Sequence, residues 1–384
     1  MRYCVILSAL IMQICLGATY SWSVYVHDIK TLLGLSQAAV QVPFSVFYFV
    51  FPATMIVSGL LLNRIGPRFS AMLGGGLFAS GWIIGSFGFS NFNFTILGNG
   101  VIAGIGAGIA YIVPISTCIK WFPRHKGLVT GIAVAGFGGG AALVSKIGGY
   151  LLAGGITPFG LFKIFGIAFF LLTVCAGFFM VNPKEAATEQ AKPAPLRETI
   201  TDNAFLILYF AMFSGLAAGF AINANIKELF TGAHAGAGVS AVAFFAIANA
   251  VGRVIWGSLF DRFMTKNMIQ VNLFSQAVLL FAAEPILSST TGLLIFSSLA
   301  GFNYGGVLVL YAGAVARIWG AQSVATTYGW LFSANIPGAV APLIAAFCYD
   351  KTGSFSFALW GIAFLMLGAI VVIQWKQTLF IKQG

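Results

Sequence analysis

One arginine stands inside an apolar run. In Ala246-Ile247-Ala248-Asn249-Ala250-Val251-Gly252-Arg253-Val254-Ile255-Trp256-Gly257-Ser258-Leu259-Phe260-Asp261-Arg262, the run stops at Asp261 and Arg262, and Arg253 comes two helical turns earlier. At the helical rise per residue it lies roughly 12 Å deeper than the charged pair. A guanidinium at that depth in hydrocarbon costs about 3 kcal/mol or more unless it faces water, a partner or a ligand. Binding an anion offsets that cost best. Two parallel N–H donors match a carboxylate in a water-poor cavity. The blander reading is a side chain that snorkels to the surface or bonds to neighbouring carbonyls.

Little else in the chain could do chemistry. His27, His125 and His234 fall in loops or at helix ends, so no nucleophile and base can be placed in one cavity, and an enzyme is not expected. Cys4, Cys15, Cys118, Cys175 and Cys348 lie in or beside apolar runs without paired spacing. They read as small packing residues, and no metal, disulfide or cofactor is expected. Asp28, Glu228, Glu284 and Asp350 sit near the outer ends of runs. With no carboxylate deep in a span, exchange or facilitated diffusion fits better than carboxylate-mediated proton coupling.

The elements that hold Arg253 follow from composition. Hydrophobic residues make up 59% of the 384 residues and charged residues 8%. Apolar runs recur along the whole length, each long enough to cross a bilayer. We count about twelve, at roughly 4–26, 37–62, 69–90, 94–118, 127–153, 160–182, 204–226, 237–260, 267–288, 292–316, 325–348 and 354–375. The first is too long for a signal peptide and has aromatic residues where cleavage needs small ones. The net charge of +11 comes from Lys and Arg in short loops, not from a nucleic-acid surface. Arg64, Arg68, Lys120, Arg124, Lys126, Arg262, Lys266, Arg317, Lys376 and Lys382 fall on one side; only Lys30, Lys163, Lys227 and Lys351 fall on the other. The positive-inside rule therefore puts both termini in the cytoplasm of a multi-pass plasma (inner) membrane protein.

A polar stretch rich in Ala, Pro, Glu and Lys divides the runs evenly and reads as a flexible linker. The expected domains are a six-helix bundle at 1–182, a cytoplasmic linker at 183–203 and a second bundle at 204–384. The halves repeat. Gly59-Leu60-Leu61-Leu62-Asn63-Arg64-Ile65-Gly66-Pro67-Arg68 and Gly257-Ser258-Leu259-Phe260-Asp261-Arg262-Phe263-Met264-Thr265-Lys266 lie 198 residues apart (257 − 59, and 262 − 64 for the arginines). Parallel six-helix repeats are a transporter architecture with substrate bound at mid-depth.

The Gly-x-Leu-x-Asp/Asn-Arg-x-x-x-Arg/Lys loop, present in both halves, resembles the signature of the major facilitator superfamily. The resemblance implies an all-α integral membrane fold of twelve helices in two pseudo-symmetric halves. It also implies that Arg64, Arg68, Asp261, Arg262 and Lys266 serve as a structural and gating latch rather than as substrate ligands. Asn63 replaces the usual acid in the first copy. Further stretches are similar to the oxalate/formate antiporter group and related bacterial monocarboxylate transporters: Gln13 to Val24, Gly104 to Tyr111 and on to Leu128, Gly136 to Gly140, Asn303-Tyr304-Gly305-Gly306, and Tyr328-Gly329. That group carries an arginine in the eighth helix, and Arg253 matches it. The repeat equivalent of Arg253 is Met55 (253 − 198), so the scaffold itself does not require a charge there.

The resemblance also implies that Tyr20, Trp22, Tyr111, Tyr304 and Tyr328 wall the substrate cavity. Dicarboxylate exchangers of the group have a second cation in the eleventh helix where this chain has Asn335. Proton-coupled monocarboxylate transporters pair the arginine with an aspartate where this chain has Asn249. One central cation without that acid favours a monocarboxylate, carried by alternating access as a secondary active or facilitative process. The alternatives are a proton-coupled drug or metabolite efflux transporter of the same superfamily and a non-transporting membrane sensor. The expected partners are a small organic anion and the lipid bilayer, with the protein acting as a monomer.

Overall fold

Hydrocarbon offers no water to bond backbone N–H and C=O groups, so an apolar run must close its hydrogen bonds within itself. The computed structural model describes residues 1–183, 196–226, 229 and 235–376, and among them there is helix and turn but no strand. The residues 184–195 of the expected linker, and Lys227, Glu228, His234 and Lys382, lie outside the described residues.

The first half begins with α1 (Arg2–Leu16), which tightens into a 3₁₀ segment at Gly17–Trp22 and relaxes into α2 (Ser23–Leu33). The single span expected at 4–26 is therefore helical but rewound in its middle. α3 (Gln37–Gly85) comprises two helical stretches, one for each of two expected spans. Their junction is Gly66, at φ 78° and ψ 168°, followed by Pro67. Only a residue without Cβ adopts that φ without strain, and Pro67 has no N–H to leave unbonded. The two expected spans are thus separate helices, and the connection between them at the signature sequence is tight.

Next comes a π-helical segment at Ile96–Ile102, which leads into α4 (Ala103–Trp121). α5 (Lys126–Ala153) and α6 (Pro158–Phe178) follow. A Cβ at Gly106 or Gly74 would strike the facing backbone, so α3 and α4 touch main chain to main chain. Trp82, Phe162, Tyr25 and Phe169 interlock edge to face as the aromatic core of this half.

The second half holds α7 (Asn203–Asn225), α8 (Ala235–Arg262), α9 (Thr265–Phe281), α10 (Thr290–Ile318), α11 (Ala341–Thr352) and α12 (Ser356–Trp375). Asp202 caps α7 by accepting from the Ala204 amide at 3.1 Å. A short helix at Leu196–Thr201 precedes it, inside the stretch read as linker. The eleventh run is in pieces. A 3₁₀ turn at Ala321–Ser323, a π segment at Val324–Tyr328 and short helices at Gly329–Phe332 and Asn335–Gly338 lead to α11.

Ten helical stretches among the described residues are long and apolar enough to cross a membrane. One of them, Ala39–Phe89, contains both spans joined at Gly66, and the ninth expected span ends early at Phe281, giving a helix of 17 residues. Those two facts account for the difference from twelve. Among the described residues, 1–123 and 133–183 form one compact unit, and 124–132 and those from 196 to 376 form the other. The first turns of α5 thus belong with the second half.

In a cysteine-less background, single cysteines placed between 183 and 203 should react with an impermeant maleimide only from the cytoplasmic side. Labelling from outside in intact cells would reverse the topology read from the charges.

Candidate anion-binding site

Arg253 lies on α8 and is 2% exposed. Its Nε donates to Asn249 Oδ1 at 2.7 Å, one turn back on the same face, and Asn249 is itself buried. A bond at Nε fixes the plane of a guanidinium, because the fork of donors is rigid. The helix beneath is equally fixed. A Cβ at Gly252 would run into the Phe302 carbonyl, one at Gly301 into the Phe245 carbonyl, and one at Gly305 into the Asn249 carbonyl. α8 and α10 therefore meet backbone to backbone at the level of Asn249 and Arg253. On another side Gly131 of α5 lies against the Arg253 carbonyl, and Gly127 and Gly257 press against each other.

α10 contributes more than glycine. Tyr304 is buried, with its ring centroid 6.0 Å from Phe245 and 6.1 Å from Phe220. Beside it Asn303 accepts from Ser275 at 2.8 Å, and Asn272 donates to the Asn303 carbonyl at 3.0 Å. Gln276 closes the chain by donating to Asn272 Oδ1 at 2.9 Å. Such a buried polar chain holds α9 to α10. Sequence reading did not single out Asn272, Ser275 and Gln276, although three polar residues within five positions of an apolar run were a visible signal.

The other residues singled out in the sequence sit in different surroundings. Tyr328 is fully buried at the end of its π segment and donates to the Leu308 carbonyl at 3.0 Å. Asn335 is buried in the broken eleventh run and donates to the Phe332 carbonyl at 2.7 Å. In the first half, Tyr20 and Tyr111 share one neighbour, Phe137, at centroid distances of 5.3 and 5.4 Å. Gln13 donates to the Tyr111 carbonyl at 3.2 Å. Trp22 is not in that group. It stacks on Phe162 at 5.8 Å and donates to the Val40 carbonyl at 3.2 Å, as part of the aromatic core.

The charged loops divide similarly. Asp261 places Oδ1 on the Gly127 amide and Oδ2 on the Leu128 amide, both at 2.8 Å. A carboxylate there satisfies two open donors at the start of α5 and faces the positive end of its dipole. Lys126 donates to the Ala316 carbonyl at 3.3 Å. Arg317 donates to the Phe260 carbonyl at 2.5 Å and the Phe263 carbonyl at 2.8 Å, with its guanidinium 4.0 Å above the Phe260 ring. Sequence reading placed Lys126 and Arg317 among the cytoplasmic loop charges, with Lys126 in a stretch similar to the antiporter group, and assigned neither a bonding partner. Arg317 in fact ties α10 to the turn between α8 and α9. Lys266 donates to Gln374 at 3.1 Å, Arg68 lies 4.4 Å over the Phe178 ring, and Arg64 and Arg262 are exposed. Among the described residues no group of three His, Cys, Asp or Glu could hold a metal ion.

The family profile of the Major Facilitator Superfamily matches residues 5–335. The chain belongs to the Major Facilitator Superfamily. It is a multi-pass membrane transporter, not an enzyme. It is 26% identical to the oxalate:formate antiporter of Oxalobacter formigenes over 345 residues, covering 87% of this chain and 81% of that one. It is also 26% identical to the MFS-type transporter YhjX of Escherichia coli over 350 residues, with 86% and 84% coverage. Monocarboxylate transporter 12 of Mus musculus is 25% identical over 358 residues, with 83% and 73% coverage. Among solved structures, the E. coli fucose:proton symporter FucP superposes with a TM-score of 0.72 at 14% identity, covering 96% and 97% of the two chains. That likeness shares the fold alone.

Replacing Asp261 by Asn keeps the shape but removes the charge and leaves one amide of the pair without an acceptor. Charge-assisted bonds of this kind contribute about 1.5–3 kcal/mol, so hydrogen exchange of the Gly127 and Leu128 amides should accelerate about tenfold or more. Unchanged protection at both would show that the carboxylate does not hold the start of α5.

Proposed function

We propose that this transporter carries small organic anions, monocarboxylates foremost, by alternating access, with Arg253 as the carboxylate ligand. The carrying observation is a guanidinium 2% exposed and oriented by a neutral neighbour, Asn249, deep in a membrane-spanning helix. A charge so placed has to be met by an ion or by strong dipoles. A carboxylate supplies two acceptors in the plane that the guanidinium offers. Relatives named as an oxalate:formate antiporter and as monocarboxylate transporters support the same class of substrate.

Two neutral residues refine the reading. Asn335 stands where a second cation would serve a dicarboxylate, and its amide is engaged by the Phe332 carbonyl. A single cation matches a single carboxylate. Asn249 supplies no proton-binding group beside Arg253; Asp261 is next to the last residue of α8, Asp202 stands before α7, Glu284 is in the short turn Ala283–Ile286, and Asp28 is in α2, past the 3₁₀ segment of the first run. Exchange of one anion for another needs no such group. Tyr304, buried on α10 beside the glycines that dock it on α8, is the aromatic side chain proposed to meet the apolar end of the substrate. Arg64, Arg68, Asp261, Arg262 and Lys266 are proposed as the latch that opens and closes the cytoplasmic side, with Asp261 on α5 as its firmest contact.

Arg253→Gln should abolish uptake of labelled monocarboxylates into proteoliposomes while the protein remains inserted and monodisperse. Losing one partner of a buried charged pair costs about 2–5 kcal/mol, roughly thirtyfold or more. Arg253→Lys should recover only part, since an ammonium lacks the two-pronged geometry. Preloading vesicles with unlabelled substrate should accelerate uptake strongly, and an imposed pH gradient should matter little. Near-normal uptake by Arg253→Gln would sink the anion-site reading, and accumulation driven by inward protons would sink the exchange reading.

A further inference from the structure

A groove of about 630 Å³ runs between α9 and α12. Its floor and rims are apolar: Val271, Phe274, Ile370 and Val371, with Trp375 at one end, 82% exposed. Two glutamines break this apolar lining, Gln270 from α9 and Gln374 from α12. Gln270 donates to the Ile370 carbonyl at 3.2 Å and to Gln374 Oε1 at 3.3 Å, and Lys266 donates to the same Oε1 at 3.1 Å.

The order of these groups along α9 is the informative part. Lys266, Gln270 and Phe274 recur every fourth residue, so they stand one above another on a single face. At the helical rise, the amide lies about 6 Å and the ring about 12 Å beyond the ammonium. Cation, polar amide and hydrocarbon in that sequence match a phospholipid read from phosphate through the polar ester region to acyl chain. Lys376, its ammonium 6.0 Å from the Trp375 ring, adds a second positive charge at the same end. The groove lining contains no acid.

The repeat shows that this groove is not simply what two such helices leave behind. Shifted by 198 residues, Lys266 falls on Arg68, but Gln270 falls on Met72 and Trp375 on Gly177. There the seam between α3 and α6 is closed. Gly177 packs on Met72 and Ala71, Gly75 packs on Thr173, and Arg68 turns onto the Phe178 ring. Trp375 and the paired glutamines have no counterpart at the equivalent positions of the first half.

We propose that the α9–α12 groove is a binding site for one anionic phospholipid, its phosphate at Lys266 and Lys376 and one acyl chain along Phe274, Val271 and Val371. Headgroup attraction contributes about a factor of five per cation at a membrane surface. The site would hold its lipid through detergent extraction, unlike the general lipid around it.

The full-length protein in detergent, titrated with equal amounts of phosphatidylglycerol and phosphatidylcholine, tests this by native mass spectrometry. One phosphatidylglycerol should be retained in preference. Lys266→Gln should cut that preference about fivefold, and Val371→Trp, which fills the groove, should remove the retained lipid. Arg68→Gln, the equivalent charge in the first half, should leave the preference unchanged. Equal retention of the two lipids by the unaltered protein would overturn the proposal. So would an equal loss in Arg68→Gln and Lys266→Gln, retention in a monodisperse Val371→Trp protein, or a dimer that Val371→Trp splits, since a second copy would then be what covers the groove.

Discussion

Lipid tails are as apolar as leucine, so helices in a membrane gain little by hiding apolar side chains from their surroundings. Close packing has to take over, and backbones approach closest where a residue has no Cβ. α8 follows this constraint on two sides: Gly252, Gly301 and Gly305 bring it onto α10, and Gly127, Gly131 and Gly257 bring it onto the first turns of α5. The buried guanidinium depends on it. With the main chain of α8 fixed at this level, Arg253 is held at one depth and Asn249 is left to set its orientation. A looser helix would let the side chain escape toward the surface and recover hydration there.

The same scaffold is used unequally by its two copies. Positions related by the repeat carry Met55 and Arg253, Asn63 and Asp261, Met72 and Gln270. In each pair the second half holds the residue with more charge or hydrogen-bonding capacity. Around the first-half equivalents the side chains serve packing, as Trp22 does when it stacks in the core with Phe162, Tyr25 and Trp82. At these three paired positions the more polar side chain is in the second copy.

How much of this was legible in the sequence depends on the range of the interaction concerned. The apolar runs, the repeated loops and the depth of Arg253 are local properties of the chain, and the helices and family assignment agree with them. Asp261 was readable as part of a signature, but its partners, the amides of Gly127 and Leu128, lie far along the chain, and no spacing rule points to them. Arg317 looked like one more cytoplasmic charge because its bonds go to carbonyls, which every residue possesses. The fragmentation of the eleventh run was hidden for a different reason. Gly329, Gly338 and Pro337 permit breaks, but similar residues, Pro43 and Pro52, lie within the continuous stretch of α3 before Gly66. Neighbouring helices decide which of these opportunities is taken.

The π segment at Ile96–Ile102 has a bearing on how this chain can change over generations. An α-helix turns about 100° per residue, so losing a single residue ordinarily swings every later side chain onto the wrong face. A π turn is an α-helix carrying one residue too many, looped out as i→i+5 bonds. Removing a residue there would restore α geometry while leaving both flanks in their present orientation. Ile96–Ile102 and Val324–Tyr328 are thus places where a membrane-spanning helix tolerates a one-codon deletion, and where length differences between related chains can accumulate without moving the helices on either side.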